Sequence, residues 1–156
     1  MELHNLKRMG GSYKGIIGEC MFKLTRRNLV VTKFFNRSKY IDIFGHYFRN
    51  DQLKFLKDNW FSIEAIEIKV TDGRPLIFLF EIKTRNKYEK DLGYATKMTE
   101  FCHDLYSAAS ELGFVTKVAT VWLYENWNYK VDIEDFDSYD YYIDSPKKYD
   151  NVKAIT

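Results

Sequence analysis

The sequence predicts an α+β fold, a mixed central sheet flanked by helices, and three observations carry that expectation. Two strand-like apolar runs, "FSIEAIEIKV" and "PLIFLFEIKT", flank "TDGR", an Asp-Gly hairpin signal. Two stretches, one near each end, place apolar residues at helical spacing. β-branched and aromatic runs follow each of them. No repeat or linker divides the 156 residues, and only two prolines occur, so residues 1–156 read as one domain.

In chain order, "SYKGIIGECMFKLTRRN" has Ile16, Ile17, Cys20, Met21 and Leu24 at helical spacing behind Ser12 as a cap, which predicts a helix over 13–28. "LVVTKFF" predicts a strand, and "KYIDIFGHYF" reads as another. "NDQLKFLKDNW" predicts a short helix opened by an Asn/Asp cap. The hairpin comes next. "GYATKMTEFCHDLYSAASELGF" then puts Tyr94, Met98, Phe101, Leu105, Ala108 and Leu112 on one helical face. "KVATVWLYEN" and "YKVDIEDF" predict two closing strands.

Hydrophobic content of 46% and aromatic content of 17% exclude general disorder. No apolar run approaches the roughly 20 residues that span a bilayer, so no membrane partner is expected. The N-terminal "MELHNLKRMGGSYKG" has no signal-peptide core, which predicts a cytoplasmic protein, in a host cell if the source is viral. Cys20 and Cys102 are too few for a disulfide scaffold, make no zinc spacing with three scattered histidines, and read as buried thiols. A single Gln, at position 52, beside abundant Tyr, Ile and Lys points to a thermophilic source. Residues 1–60 carry 12 Lys+Arg against 5 Asp+Glu, whereas residues 131–156 carry 3 against 7. A basic body with an acidic C-terminal strand and tail suits a polyanionic partner, and a solvated surface accounts for the same charges.

The hairpin fixes a register. With Asp72 and Gly73 at the centre of the turn, cross-strand partners have numbers that sum to 145, as 72 and 73 do, so Glu64 lies opposite Glu81. Directly opposed residues share a face, so Glu64, Glu81 and Lys83 project together beside Ile66, Ile68, Ile77 and Leu79, while Glu67 points to the other face. Two ionised carboxylates so placed repel each other. A divalent cation would resolve the conflict: Mg²⁺ is typically held by one or two carboxylates, with water and phosphate oxygens completing its shell. A strand end whose charges reach solvent is the plainer account of "EIK" taken alone.

The context of "FEIKT" resembles the PD-(D/E)XK nuclease superfamily, in which an acidic residue on one strand and an acidic-x-Lys on the next are joined by a hairpin. "KGIIGECMFKLTRRNLVVTKF" is similar to the first helix and strand of the archaeal Holliday-junction-resolvase branch, with Gly15 and Glu19 in the corresponding places. The following helix and "KVATVWLYE" complete the pattern over roughly residues 12 to 127. The small size is similar to nucleases of archaeal viruses and to RecB-like CRISPR-associated nucleases. The resemblance implies a restriction-endonuclease-like core in the order α-β-β-β-α-β with an insertion before the hairpin.

It also implies a deoxyribonuclease that hydrolyses DNA, double-stranded as the expected partner, with Mg²⁺ or Mn²⁺. Glu64 and Glu81 with the backbone carbonyl of Ile82 would hold the metal, Lys83 would activate or place the water, and Glu19 would orient the water around the metal. The family usually has Asp where this chain has Glu64, and Asp42 in "KYIDIFG" is the alternative ligand. Arg26, Arg27, Lys33, Arg37, Lys39, Arg85, Lys87 and Lys90 are candidates for phosphate contacts, which bring affinity without sequence information. A homodimer is left open. The other class of function is a non-catalytic nucleic-acid-binding or viral interaction protein that keeps a nuclease-like fold.

Overall fold

The computed structural model describes residues 11–87, 96–139 and 141–144. Helix α1 (Gly11–Thr25) leads through a turn into the short strand β1 (Leu29–Val31). Helices α2 (Arg37–Phe44) and α3 (Asn50–Asn59) precede the hairpin of β2 (Ala65–Thr71) and β3 (Arg74–Asn86). Strand β4 (Thr96–Thr99) runs into α4 (Glu100–Glu111), followed by β5 (Val115–Leu123), β6 (Tyr129–Asp135) and β7 (Tyr141–Asp144). Five strands form one mixed sheet in the order β1-β2-β3-β5-β6, and β4 pairs with β7 in a separate parallel pair. Within the large sheet only β3 and β5 are parallel, because the chain between them crosses over through α4.

The turn explains the register. Asp72 (φ 52°) and Gly73 (φ 76°) both take left-handed backbone, the signature of the two-residue turn whose twist matches a hairpin. Thr71 pairs with Arg74 and Ala65 with Phe80, as the sum of 145 requires. Each face of the sheet is covered. On one, α1 lays Phe22 over Leu29, Val31, Ala65, Phe80, Ile82 and Val121. On the other, the insertion and α4 bury Tyr40, Phe55, Leu56, Trp60, Leu105 and Tyr106 with Ile66, Ile77, Leu79 and Val118.

Five expectations need correction. "KYIDIFGHYF" is helical: Asn36 accepts a hydrogen bond from the Lys39 amide as N-cap, and Tyr40 and Phe44, four residues apart, meet at 4.8 Å while Tyr40 also packs on Trp60 at 5.2 Å. The β-prone composition there serves helical packing. "LVVTKFF" is a strand only to Val31 and then a 3-10 turn, Thr32–Phe34. The second long helix begins at Glu100, where Thr99 caps it by accepting from the Cys102 amide; Met98 is in β4, and Tyr94 lies outside the described residues. Cys20 is exposed rather than buried, and Cys102 is partly buried. The first helix spans 11–25, so Ser12 lies within it. The end of the acidic segment, residues 145–156, also falls outside the described residues.

Gly18 sets how closely α1 approaches the sheet. A Cβ there would overlap Thr84 Oγ1 and stand 2.8 Å from Thr84 Cβ, whereas a Cβ at Gly15 would meet nothing within 4 Å. The same substitution should therefore act in opposite directions. Gly15→Ala should stabilise by about 0.5–1 kcal/mol through helix propensity. Gly18→Ala should destabilise by about 1–3 kcal/mol, because β3 cannot yield without disturbing its neighbours. Urea denaturation of the two variants checks the contrast, and Thr84→Ala should recover part of the Gly18→Ala loss.

Candidate functional site

The site forms where β2 stops pairing while β3 continues. The ladder ends at Ala65 and Phe80. Ile63, next in line, turns its N–H to the Asn59 carbonyl at 3.1 Å, and its own carbonyl accepts from Thr32 Oγ1. The Ile82 N–H, which would have paired with Ile63, is instead taken by Glu64 Oε2. A residue in an extended strand turns its N–H and C=O toward the same neighbour, so the Ile82 carbonyl also lies on the Glu64 side. Glu64 is itself held in place by the 3-10 turn after β1, since its carbonyl accepts from the Thr32 amide at 3.0 Å.

Glu81 is only 3% exposed. Its Oε1 receives the Lys83 ammonium at 3.0 Å, while its Oε2 is buried without a hydrogen-bond partner. Such an orphaned acceptor is costly unless something binds it. From α1, Glu19 is buried as well, with one oxygen 2.9 Å from Lys33 Nζ and the other unpartnered. Burial, and then the Glu81 charge, push the Glu64 carboxyl well above the ordinary carboxylate range, with Glu19 adding in the same direction. For Lys83, burial works against the charged form but Glu81 outweighs it, so the ammonium is held above the usual lysine range. The register thus brings Glu64, Glu81 and Lys83 together, and α1 adds Glu19.

Asp42 stands apart. It is exposed on α2, beside a surface depression shared with Arg37, Lys57 and Asp58. The turn has two residues and not three, so Glu81 stands opposite Glu64 and not Ile63, and Asp42 is not needed to complete the pair. Glu67 is on the opposite face, gripped by Arg26 through two hydrogen bonds of 2.6 and 2.8 Å.

That grip also decides the fate of several basic candidates. Arg26 is committed to Glu67 and stacks 5.1 Å from the Phe80 ring centre, and Lys33 is committed to Glu19. Arg85 donates to the Thr84 carbonyl, and Lys87 stands 5.9 Å from the Tyr124 ring. Arg27 and Lys39 are exposed, Arg37 lies over the Phe61 ring, and Lys90 is outside the described residues.

Two further residues stand at the site without having been expected there. Tyr106, fully buried on α4, donates its hydroxyl to the Phe80 carbonyl at 2.9 Å and so ties α4 to the strand that carries Glu81. Burial, with Glu81 and Glu64 behind it, holds its phenol well above the ordinary range. Cys102 faces the same cluster, and burial followed by the Glu81 charge pushes its thiol up to about 11. His103 diverges from it and packs against Phe136 and Tyr141 at 5.4 and 5.9 Å. The helical spacing that places Leu105 in the core also carries Cys102 and Tyr106 toward β3, but only the register of β3 shows what they meet.

Among the described residues, no three His, Cys, Asp or Glu side chains form a ready-made metal cage. The hard oxygen donors of Glu64, Glu81 and the Ile82 carbonyl fit a cation such as Mg²⁺ or Mn²⁺, which keeps several waters, and the orphaned Glu81 Oε2 supplies the unsatisfied acceptor. No helix among the described residues is long and apolar enough to cross a membrane. No family model, curated protein or solved structure matches the chain.

Glu64 gives the site a pH signature. A carboxyl raised in the folded state binds more protons than the unfolded chain, so its contribution to stability is present below the ordinary carboxylate range and is lost as pH rises through the folded value. Gln at this position keeps an acceptor for the Ile82 amide and does not titrate. Glu64→Gln should therefore raise Tm at pH 8, at about 2–4 °C for each kcal/mol relieved in a chain of this size. The gain should vanish near pH 4. A difference that stays constant across that range in thermal scans would refute the raised value.

Proposed function

We propose that the protein is a divalent-metal-dependent nuclease that hydrolyses DNA phosphodiester bonds. The observation that carries this reading is the pair of opposed carboxylates at the open end of β2, with Glu81 Oε2 buried and unpartnered and Lys83 bound to its other oxygen. The element order α1, β1, β2, β3, α4, β5, with α2 and α3 inserted before the hairpin and the short β4 before α4, supports it, because the PD-(D/E)XK resemblance of "FEIKT" implies that order with an insertion before the hairpin.

Glu64, Glu81 and the Ile82 carbonyl would hold Mg²⁺ or Mn²⁺, whose chemistry is to polarise the phosphate and lower the pKa of a bound water. Glu64 gives up its proton when it serves as a ligand, since only the carboxylate coordinates. Lys83 keeps its charge and is placed to orient the water and to offset the negative charge that builds on the phosphate in the transition state. Glu19, anchored by Lys33, keeps a second oxygen buried and unpartnered, and its charge is felt at Glu64, so it would serve as a hydrogen-bond acceptor for water at the site. Water would attack phosphorus and give up a proton to surrounding solvent as a new P–O bond forms, and the bond to the departing sugar oxygen would break as that oxygen takes a proton from solvent water.

A non-catalytic nucleic-acid-binding protein is the second reading. It is favoured by the 3.0 Å Lys83–Glu81 pair, which already neutralises one carboxylate.

Incubation of linear and circular duplex DNA with purified protein in Mg²⁺, Mn²⁺ or EDTA separates the two readings. Cleavage should require the cation and fall to background in Glu81→Ala with the fold intact. Glu64→Gln should lose most of it. Lys83→Ala should be nearly inactive yet still bind metal, and Glu67→Gln should cut within a few-fold of wild type. Undiminished cutting in excess EDTA, or by Glu81→Ala, would eliminate this site.

Binding should also weaken steeply between low and physiological salt, by an amount that scales with the number of phosphates neutralised. Flat binding in a salt titration would remove the electrostatic argument.

A further inference from the structure

Beside the carboxylates, two 3-10 turns come together, Thr32–Phe34 after β1 and Trp60–Ser62 before β2. The first is tied to the site twice, through the Thr32 amide on the Glu64 carbonyl and through Lys33 on Glu19. The second ends two residues before Glu64. Each turn presents a phenylalanine to solvent, Phe34 at 55% exposure and Phe61 at 87%. Their neighbours behave differently: Phe35 packs against the core beneath and Trp60 is fully buried. Single exposed apolar residues need no explanation. Two aromatic rings on adjoining turns, with Arg37 lying over Phe61 at 5.8 Å, are a more specific arrangement.

The charge of the segment agrees. From Thr32 to Tyr40 the chain carries the exposed Arg37 and Lys39, besides Lys33, which is paired with Glu19, and it carries no carboxylate. Arg37 donates to the Lys57 carbonyl, which holds its guanidinium plane over the ring. A cationic strip bearing solvent-facing aromatic rings is chemistry suited to a strand with unpaired bases, because phosphates meet the cations and bases stack on the rings without regard to sequence. A fully paired duplex keeps its bases within its own stack and would gain only the electrostatic part.

We infer that Phe34 and Phe61, with Arg37, form a stacking platform that holds unpaired bases of a DNA strand next to the Glu64–Glu81 site. The substrate is then single-stranded DNA, or duplex DNA with a splayed or unpaired segment. This rests on the nuclease reading for its purpose, while the binding itself does not depend on cleavage.

The test is fluorescence anisotropy in EDTA, at one fixed salt concentration, with labelled oligo-dT of about 20 nucleotides, enough to cover a typical single-strand site, and a duplex of equal length. Phe34→Ala and Phe61→Ala should each weaken oligo-dT binding about five-fold or more, the loss expected for one stacked base, and change duplex binding by less than about two-fold. Phe61→Trp should retain wild-type affinity, and Phe61→Leu should not, since bulk without a π-face cannot stack.

Equal losses on both DNAs, no loss on either, or full rescue by leucine would overturn the platform. So would a change in sedimentation of the alanine variants without loss of oligo-dT affinity, which would make the patch a self-association face. Because nothing turns over in EDTA, these results stand apart from the nuclease reading, on which cleavage by Glu81→Ala reports separately.

Discussion

The register of one hairpin governs what the rest of the molecule can do. Asp72 and Gly73 adopt left-handed backbone, and that two-residue turn allows only one pairing of β2 with β3. A slip of one residue would send every side chain of a strand to the opposite face. Glu67 would then leave Arg26, and Glu64 would no longer stand across from Glu81. The two acidic residues of β2 thus have separate fates decided by parity. Glu67 is neutralised by a guanidinium on the α1 side, and Glu64 faces another carboxylate on the side of α4.

Local agreement among the levels of structure breaks down at one place. Along β3 the apolar residues alternate cleanly between the α1 face and the α4 face, until Glu81 and Lys83 take positions that would otherwise extend the core. Nearby, Ile63 leaves the ladder, a side chain replaces a strand as partner of Ile82, and acceptors on Glu19 and Glu81 stay unpaired. Departures of this kind concentrate where a protein accepts instability in return for reactivity. A mutation that lowers the tension should make the fold more robust and the site less capable.

Much of this was legible from the sequence because its signals are short-range. The Asp-Gly pair and its flanking runs reveal the hairpin, and arithmetic from the turn reaches Glu64 and Glu81 without knowledge of anything distant. The first helix shows itself through Ile16, Ile17 and Met21 at regular spacing. "KYIDIFGHYF" misleads because its β-prone residues are chosen for tertiary packing, where Tyr40 gathers Phe44, Phe48 and Trp60 around it. Met98 satisfies a helical period yet belongs to β4, because Thr99, a good cap, starts the helix one residue later. The basic residues were the least readable. Arg26 and Lys33 look alike as isolated cations, and only the folded chain shows that each is spoken for by a buried glutamate. Gly18, and not Gly15, meets the sheet, a distinction that depends on the position of Thr84.

The two outer strands of the large sheet carry a further consequence. β1 is only three residues long and turns at once into a 3-10 segment, while β6 bears Asp132, Glu134 and Asp135 within four residues. A strand from another chain approaching β1 would find too few amides to pair with, and one approaching β6 would meet charged side chains, including the carboxylates of Asp132 and Asp135 already held by Lys130 and Lys117. Short and charged borders are how sheets resist fibril-like growth. In a chain this rich in tyrosine, phenylalanine and isoleucine, both borders of the large sheet are thereby poor templates for backbone pairing with another copy.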